Sequence, residues 1–121
     1  MFDPAQFRLN GASALVTGAG AGIGRAIAET FAGAGAAVAV TDLDAAAAES
    51  VAEEIVAAGG RAFGAGCNVT QEADLAAVVD HTVRELGGLT ILVNNAGGGG
   101  PKPFDMPMED MHRAFELNVF S

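Results

Sequence analysis

Three glycines, Gly18, Gly22 and Gly24, follow a short apolar run at 14–16 and precede an alanine-rich helical pattern. Glycine permits a tight turn and lets the backbone approach a ligand closely, because it has no Cβ. The helix that follows presents unpaired N–H groups and the positive end of its dipole, both of which suit a phosphate. Between a strand and a helix, the spacing Gly-x-x-x-Gly-x-Gly predicts a site for the pyrophosphate of a dinucleotide.

An acidic residue lies where a bound nucleotide would need one. Asp42 comes eighteen residues after Gly24, at the end of an apolar run at 36–41 that is typical of a strand. In a dinucleotide-binding fold, such a carboxylate accepts hydrogen bonds from the hydroxyls of the adenosine ribose. It would repel a 2′-phosphate, and no Lys or Arg lies at this strand end, so the sequence favours NAD over NADP. The alternative is a simple helix-initiating turn in which Asp44 is the only useful cap.

Asparagines follow two further apolar runs. Asn68 closes a weaker run at 61–67, where its side chain could accept from the exocyclic amine of adenine or serve only as a turn former. The segment 94–97, Asn-Asn-Ala-Gly, follows the strong run at 89–93, at the edge where such sheets bind ligands. Its amides could equally cap an abrupt strand end. The glycine- and proline-rich segment 97–107 predicts a binding loop rather than a linker, since it joins a core strand to a helix.

These residues need a scaffold in which strands and helices alternate. Each of the four apolar runs is followed by a helical pattern, the first with Ile23, Ile27 and Phe31 on one face and the next two with Asp44 and Thr70 as N-caps. Predicted helices begin near 23, 45, 71 and 107. Connections this short allow only right-handed parallel crossovers. The sequence therefore predicts an α/β fold, a Rossmann-type doubly wound parallel sheet with the strand order 3-2-1-4.

The composition predicts one modest domain that does not bind nucleic acid. Six basic and fifteen acidic side chains among 121 residues give a net charge of −9, which would repel a phosphate backbone. A single cysteine, Cys67, cannot form an internal disulfide and fits a reducing compartment. The N-terminus does not resemble a signal peptide, and no apolar run approaches the length of a membrane span. These features together predict a cytoplasmic protein. His81 and His112 lack metal-ligand spacing, so we expect no metal site.

In their order, the glycine turn, Asp42, the Asn-Asn-Ala-Gly segment at 94–97 and Asn118 resemble the short-chain dehydrogenase/reductase family. The segments 97–107 and 116–121 resemble, more narrowly, the bacterial NAD-dependent 7α-hydroxysteroid dehydrogenases. The resemblance implies hydride exchange between NAD and the 7α-hydroxyl of a steroid or bile acid. It also implies a homo-oligomer, usually a tetramer, in the full-length form.

The family's functional positions carry over residue by residue. They are Gly18, Gly22, Ile23 and Gly24 at the pyrophosphate turn, Asp42 and Leu43 at the adenosine ribose, Asn68 and Val69 at the adenine, and Asn95 and Gly97 after the fourth strand, with Asn95 on the nicotinamide-side ribose. Gly99 matches a loop position that touches bound steroid, and Asn118 matches the catalytic asparagine that holds a water in a proton relay. Position 68 is usually aspartate in the family. Asparagine keeps one acceptor and loses the charge, so adenine binding is expected to persist in weakened or altered form.

The family's chemistry also needs a tyrosine as general acid/base, a lysine four residues later and a serine that holds the substrate oxygen. The sequence contains no tyrosine, its single lysine is Lys102, and Ser121 matches no catalytic position. We therefore expect residues 1–121 to be the cofactor-binding first half of an enzyme, poorly stable and inactive alone. The alternatives are a short-chain dehydrogenase for another alcohol or ketone, a catalytically inactive NAD-binding module and, least favoured, a methyltransferase. Whether the reading frame continues into Tyr-x-x-x-Lys separates an enzyme from an inactive module.

Overall fold

The computed structural model describes residues 8–95, in which four strands alternate with three helices. The elements are β1 (Ser13–Val16), α1 (Gly22–Gly33), β2 (Ala37–Asp42), α2 (Ala45–Ala57), β3 (Arg61–Gly66), α3 (Glu72–Leu86) and β4 (Ile91–Val93). The predicted helix near 107, and the positions Gly97, Gly99 and Asn118, lie outside the described residues.

The four described strands form one parallel sheet in the order β3-β2-β1-β4, which confirms the predicted order. β1 has a strand on each side, and its Val16 pairs with Val40 of β2 and with Val93 of β4. The order reverses between β1 and β4. In open α/β sheets, ligands bind at such a reversal, outside the carboxyl ends of the strands. The fold therefore brings the glycine turn, which follows β1, to the expected edge.

Helices cover both faces of the sheet. Successive side chains of a strand point to opposite faces, so one strand can supply two cores. On one face Val16 and Val40 pack with residues of α1 and α2, and on the other Leu15 and Ala39 pack with residues of α3. Every residue of β1 is buried, which explains why its apolar residues 14–16 follow one another without alternation. Among residues 8–95, no helix is long and apolar enough to cross a membrane.

Helix α1 turns its smallest residues toward the sheet. Gly24 and Ala28 are buried, while Ile27 and Phe31 pack against the same core and remain partly exposed. The prediction that Ile23 shares this face is wrong, because its side chain is 73% exposed. Successive helical residues are about 100° apart, so placing Gly24 against the sheet turns Ile23 away from it.

Helix α2 begins as predicted. Oδ1 of the N-cap Asp44 accepts a hydrogen bond from the N–H of Ala47 at 3.1 Å. Capping of this kind stabilises a helix by about 0.5–2 kcal/mol. The buried face of α2 consists of Ala48, Val51, Ala52 and Ile55.

Helix α3 begins differently from the prediction. Thr70 is not its N-cap; Gln71 takes that position, and its side chain makes no capping hydrogen bond. The Thr70 hydroxyl donates instead to Oδ1 of Asn68 at 2.6 Å, so an interaction within the preceding loop has displaced the cap. The spacing of apolar residues along α3 predicts that Val83 is buried, but its side chain is 41% exposed. The buried residues of α3 are Leu75, Val78, Thr82 and Leu86.

We predict that Gly64→Ala destabilises the protein. A Cβ at Gly64, in β3, would lie 2.6 Å from backbone atoms of Ala48 and Glu49 in α2. Backbone cannot yield as a flexible side chain does, so α2 must move away from the sheet, at a cost of about 1–3 kcal/mol. Urea unfolding of the full-length variant measures this loss of free energy.

Gly33→Ala is the matched control. A Cβ at Gly33, the last residue of α1, would meet nothing within 4 Å. This substitution should leave stability unchanged or raise it by up to about 1 kcal/mol, because it reduces the freedom of the unfolded chain. Equal effects of the two substitutions would contradict the close packing of α2 on β3.

Candidate functional site

The turn between β1 and α1 has a backbone that requires glycine at defined positions. Gly18 and Gly22 adopt positive φ angles of 62° and 61°, a region that L-residues with a Cβ rarely enter. A Cβ at Gly24 would lie 2.2 Å from the carbonyl oxygen of Gly18. Two of these glycines thus shape the turn, and the third lets α1 lie directly against it.

The amino end of α1 is open to a ligand. Its N-cap, Ala21, is extended and makes no side-chain capping bond, and the first turn contains no acidic residue. The first N–H groups of a helix have no partner within the helix. A Cβ at Gly22 would meet no atom of residues 8–95 within 4 Å. Uncapped amides and a positive dipole end fit a phosphate without a competing carboxylate.

The carboxylate of Asp42 connects the end of β2 to the glycine turn. Oδ2 accepts a hydrogen bond from the N–H of Gly20 at 2.9 Å, and Oδ1 accepts one from the N–H of Asp44 at 2.9 Å. A carboxylate offers about four lone-pair sites, so two remain for the hydroxyls of a ribose. The next residue, Leu43, is 74% exposed at the same edge. Asp44 caps α2, as the alternative interpretation required, whereas the role of Asp42 at the adenosine ribose stays a prediction.

Two contributors to the turn were not identified from the sequence. Gly20 supplies the N–H that binds Asp42, and a Cβ there would lie 2.9 Å from both that carboxylate and Cβ of Ala47. The hydroxyl of Thr17 donates to the carbonyl of Val93 at 3.3 Å. A sequence signal existed for both, since Gly20 lies within the glycine run and Thr17 starts it. The partners on β2 and β4 become visible only in the fold.

Asn95 links the segment after β4 to the turn after β1. Its N–H donates to Oγ1 of Thr17 at 3.1 Å, and its Nδ2 donates to the carbonyl oxygen of Gly18 at 3.2 Å. The amide thus satisfies the carbonyl that Gly24 approaches most closely. This arrangement agrees with the alternative that the amides of segment 94–97 cap an abrupt strand end. The role of Asn95 at the nicotinamide-side ribose stays a prediction.

Asn68, at the carboxyl end of β3, forms a local turn. Its Oδ1 accepts from the N–H of Thr70 at 3.0 Å and from the Thr70 hydroxyl at 2.6 Å. The N–H of Asn68 donates to Oδ2 of Asp74 at 3.2 Å. The turn-forming interpretation of Asn68 is confirmed, whereas its contact with adenine, like that of Val69, stays a prediction.

Cys67 precedes this turn and is 5% exposed. Burial raises the pKa of its thiol above the ordinary value, because the thiolate would lose solvation, and the nearby charge of Asp74 raises the pKa further. The thiol is therefore protonated at neutral pH and packs as a small apolar group with Leu75 and other residues of the α3 face.

Arg25, in the first turn of α1, is engaged by carboxylates. Its Nε donates to Glu29 at 2.7 Å, and its Nη2 pairs with Glu54 of α2. The hydrogen bond with Glu29 and the charge of Glu54 raise the pKa of the guanidinium. In this conformation Arg25 joins α1 to α2 rather than adding charge to the glycine turn.

No metal site is formed in the described part of the chain, where no three His, Cys, Asp or Glu residues cluster. His81 instead packs beside the ring of Phe63, with centroids 4.5 Å apart, and lies 3.6 Å from Glu85.

The chain matches a known protein family and is similar to several characterised proteins. A family model described as short chain dehydrogenase matches residues 12–121. The 7alpha-hydroxysteroid dehydrogenase of Escherichia coli (strain K12) is 58% identical over 121 residues, which are 100% of this chain and 48% of that protein. Glucose 1-dehydrogenase 2 of Bacillus subtilis (strain 168) is 36% identical over 114 residues, covering 92% of this chain and 44% of that protein.

A solved structure gives the same fold. It is a 7α-hydroxysteroid dehydrogenase complexed with NADH and 7-oxo glycochenodeoxycholic acid, with a TM-score of 0.77 and 56% identity. The match covers 99% of this chain and 47% of that one. The chain thus spans about half the length of the curated relatives named above.

We predict that Asn95→Ala loosens the glycine turn. The substitution leaves the carbonyl of Gly18 without the amide donor, and a partly buried group that loses its partner costs about 1–3 kcal/mol. Urea unfolding of the full-length variant measures this loss.

Asn94→Ala is the control, because Asn94 is exposed and no hydrogen bond of its side chain is found within the described structure. Its effect should stay within about 0.5 kcal/mol. If the two alanine variants were equally stable, the hydrogen bond between Asn95 and the turn would not contribute to the free energy of unfolding.

Proposed function

The chain belongs to the short-chain dehydrogenase family, and we propose that it is the NAD-binding part of an oxidoreductase. The observation that carries the proposal is the contact between the Asp42 carboxylate and the Gly20 N–H, beside the uncapped amides of α1. It joins an anion site for the pyrophosphate to an acceptor for ribose hydroxyls. The relative solved with NADH supports the same cofactor.

The proposed roles of helix α1 and Asp42 in binding NAD follow from their charges. The amino end of α1, from Gly22, receives the pyrophosphate, and the free lone pairs of Asp42 receive the adenosine ribose. No Lys or Arg follows Asp42 directly in the sequence, where Leu43 and Asp44 come next. A 2′-phosphate would therefore face a carboxylate, which favours NAD over NADP. The chemistry that NAD supplies is acceptance of a hydride from an alcohol.

We propose a steroid as the substrate, oxidised or formed at a 7α-hydroxyl. Support comes from 58% identity to a 7α-hydroxysteroid dehydrogenase over the whole chain, against 36% to a glucose dehydrogenase. On this proposal Gly99 contacts the steroid and Asn118 takes part in proton transfer. The tyrosine and lysine of the family's chemistry have no counterpart in these 121 residues, so the chain supplies the cofactor half of the site.

The cellular setting is part of the same proposal. The resemblance to the hydroxysteroid dehydrogenases supports a homotetramer of the full-length form. An acidic sequence with one cysteine, whose thiol is buried, supports a cytoplasmic location. Size-exclusion chromatography with light scattering tests the first point, and cell fractionation tests the second.

We predict that Asp42→Ala weakens NAD binding. Hydrogen bonds to a charged acceptor contribute about 1.5–3 kcal/mol, so the Kd for NAD should rise at least about tenfold. The ratio of the Kd for NADP to the Kd for NAD should decrease, because the Asp42 carboxylate that would repel a 2′-phosphate is gone. Isothermal titration calorimetry on the full-length protein measures both constants.

Asp44→Ala is the matched control for this substitution. It removes a neighbouring carboxylate that caps α2 at Ala47 and does not bond to the turn. The variant should lose about 1 kcal/mol of stability and keep the Kd for NAD. An unchanged Kd in Asp42→Ala would remove the basis for the ribose assignment.

The substrate prediction is tested with alcohols offered to the full-length protein together with NAD. We expect turnover of 7α-hydroxylated bile acids to exceed that of glucose or a 7β-epimer by at least about tenfold in kcat/KM, the factor that one hydrogen bond provides. Comparable rates with glucose would favour another substrate of the same family.

The 121-residue chain alone should show no such turnover. Its activity would contradict the assignment of acid/base groups to a further segment. NAD binding by a full-length protein that turns over none of these alcohols would favour an inactive NAD-binding module.

A further inference from the structure

The side-chain oxygen of Asn68 already accepts two hydrogen bonds from Thr70. A carbonyl oxygen has two lone pairs, and Oδ1 accepts from both the N–H and the hydroxyl of Thr70. The orientation of the amide follows from the backbone bond, because only an oxygen can accept from the N–H of Thr70. The group that remains available is Nδ2, for which the described residues offer no hydrogen-bond partner.

Asn68 lies beside the proposed ribose site. Asp42, the last residue of β2, pairs with Gly66 of β3, and the N–H of Cys67 donates to the carbonyl of Asp42 at 2.8 Å. Asn68 is the next residue, on the side of Asp42 away from the reversal between β1 and β4. A dinucleotide extends across that reversal, so a ribose at Asp42 directs its purine toward β3 and Asn68.

Resting on the proposed NAD binding, we propose that Asn68 presents a hydrogen-bond donor to the edge of the purine. It is then a specificity-determining residue that discriminates weakly between a 6-amino and a 6-oxo base. The 6-amino group of adenine is itself a donor and gains nothing from Nδ2. The 6-oxo group of hypoxanthine is an acceptor and pairs with it.

An aspartate at position 68 would reverse this arrangement. One carboxylate oxygen would keep both bonds to Thr70, and the other would offer an acceptor in place of Nδ2. The exchange preserves the turn and the size of the side chain. It changes only the charge and the hydrogen-bonding character of the one free atom.

The test measures Kd values of full-length wild type and Asn68→Asp for NAD and nicotinamide hypoxanthine dinucleotide. In the wild type the hypoxanthine dinucleotide should bind about twofold to tenfold more tightly than NAD, the factor for one hydrogen bond, and Asn68→Asp should shift the ratio of the two Kd values toward NAD by at least about tenfold. Using the ratio removes any equal effect of the added charge on both ligands.

Gln71→Glu is the charge control, because it adds the same charge three residues later at the N-cap of α3. It should leave the ratio unchanged. A ratio that Asn68→Asp does not shift toward NAD, or a wild type that binds NAD as tightly as the hypoxanthine dinucleotide or more tightly, overturns the proposal while NAD binding stands. Absence of binding by both dinucleotides overturns the proposed function and this inference with it.

Discussion

The close approach of helix α1 to the turn before it is the constraint on which the site depends. A Cβ at Gly24 would lie 2.2 Å from the Gly18 carbonyl oxygen and 2.5 Å from the Asn95 amide nitrogen. Without this contact the helix would stand away from the sheet, and its open amides would no longer lie at the carboxyl edge. The same contact explains why Gly24 is buried while Ile23 beside it is exposed, since one rotation of the helix determines both positions.

Side chains from neighbouring strands hold the turn in this position. Asp42 binds it from β2 through Gly20, and Asn95 binds it from the end of β4 through Gly18. The turn is therefore held on both sides before any ligand arrives. Preorganisation of this kind lowers the ordering cost of binding, because the backbone amides need not be fixed by the ligand itself. It also gives Asp42 two functions, in the turn and in the proposed ribose site.

Much of this architecture follows from local pattern. Fully apolar strands imply a sheet covered on both faces, and short crossovers imply parallel strands, so the order 3-2-1-4 could be predicted. Asp44 as a cap depends only on residues within one helical turn. The error at the start of α3 arose because two local interactions competed. Thr70 could cap α3 or bond to Asn68, and the two choices differ by an amount that residue type does not reveal.

The alternation of elements, the glycine turn and the acidic residue at the end of β2 follow from the amino-acid sequence, because they depend on periodicity, backbone conformation and charge. Which atoms meet became known from the folded chain: the Asp42 carboxylate with the Gly20 N–H, the Asn95 amide with the Gly18 carbonyl, and the Asn68 oxygen with Thr70. The first two contacts join residues 22 and 77 positions apart in the chain, and sheet register creates them. The third is local, but its outcome depended on a competition that the completed fold resolved.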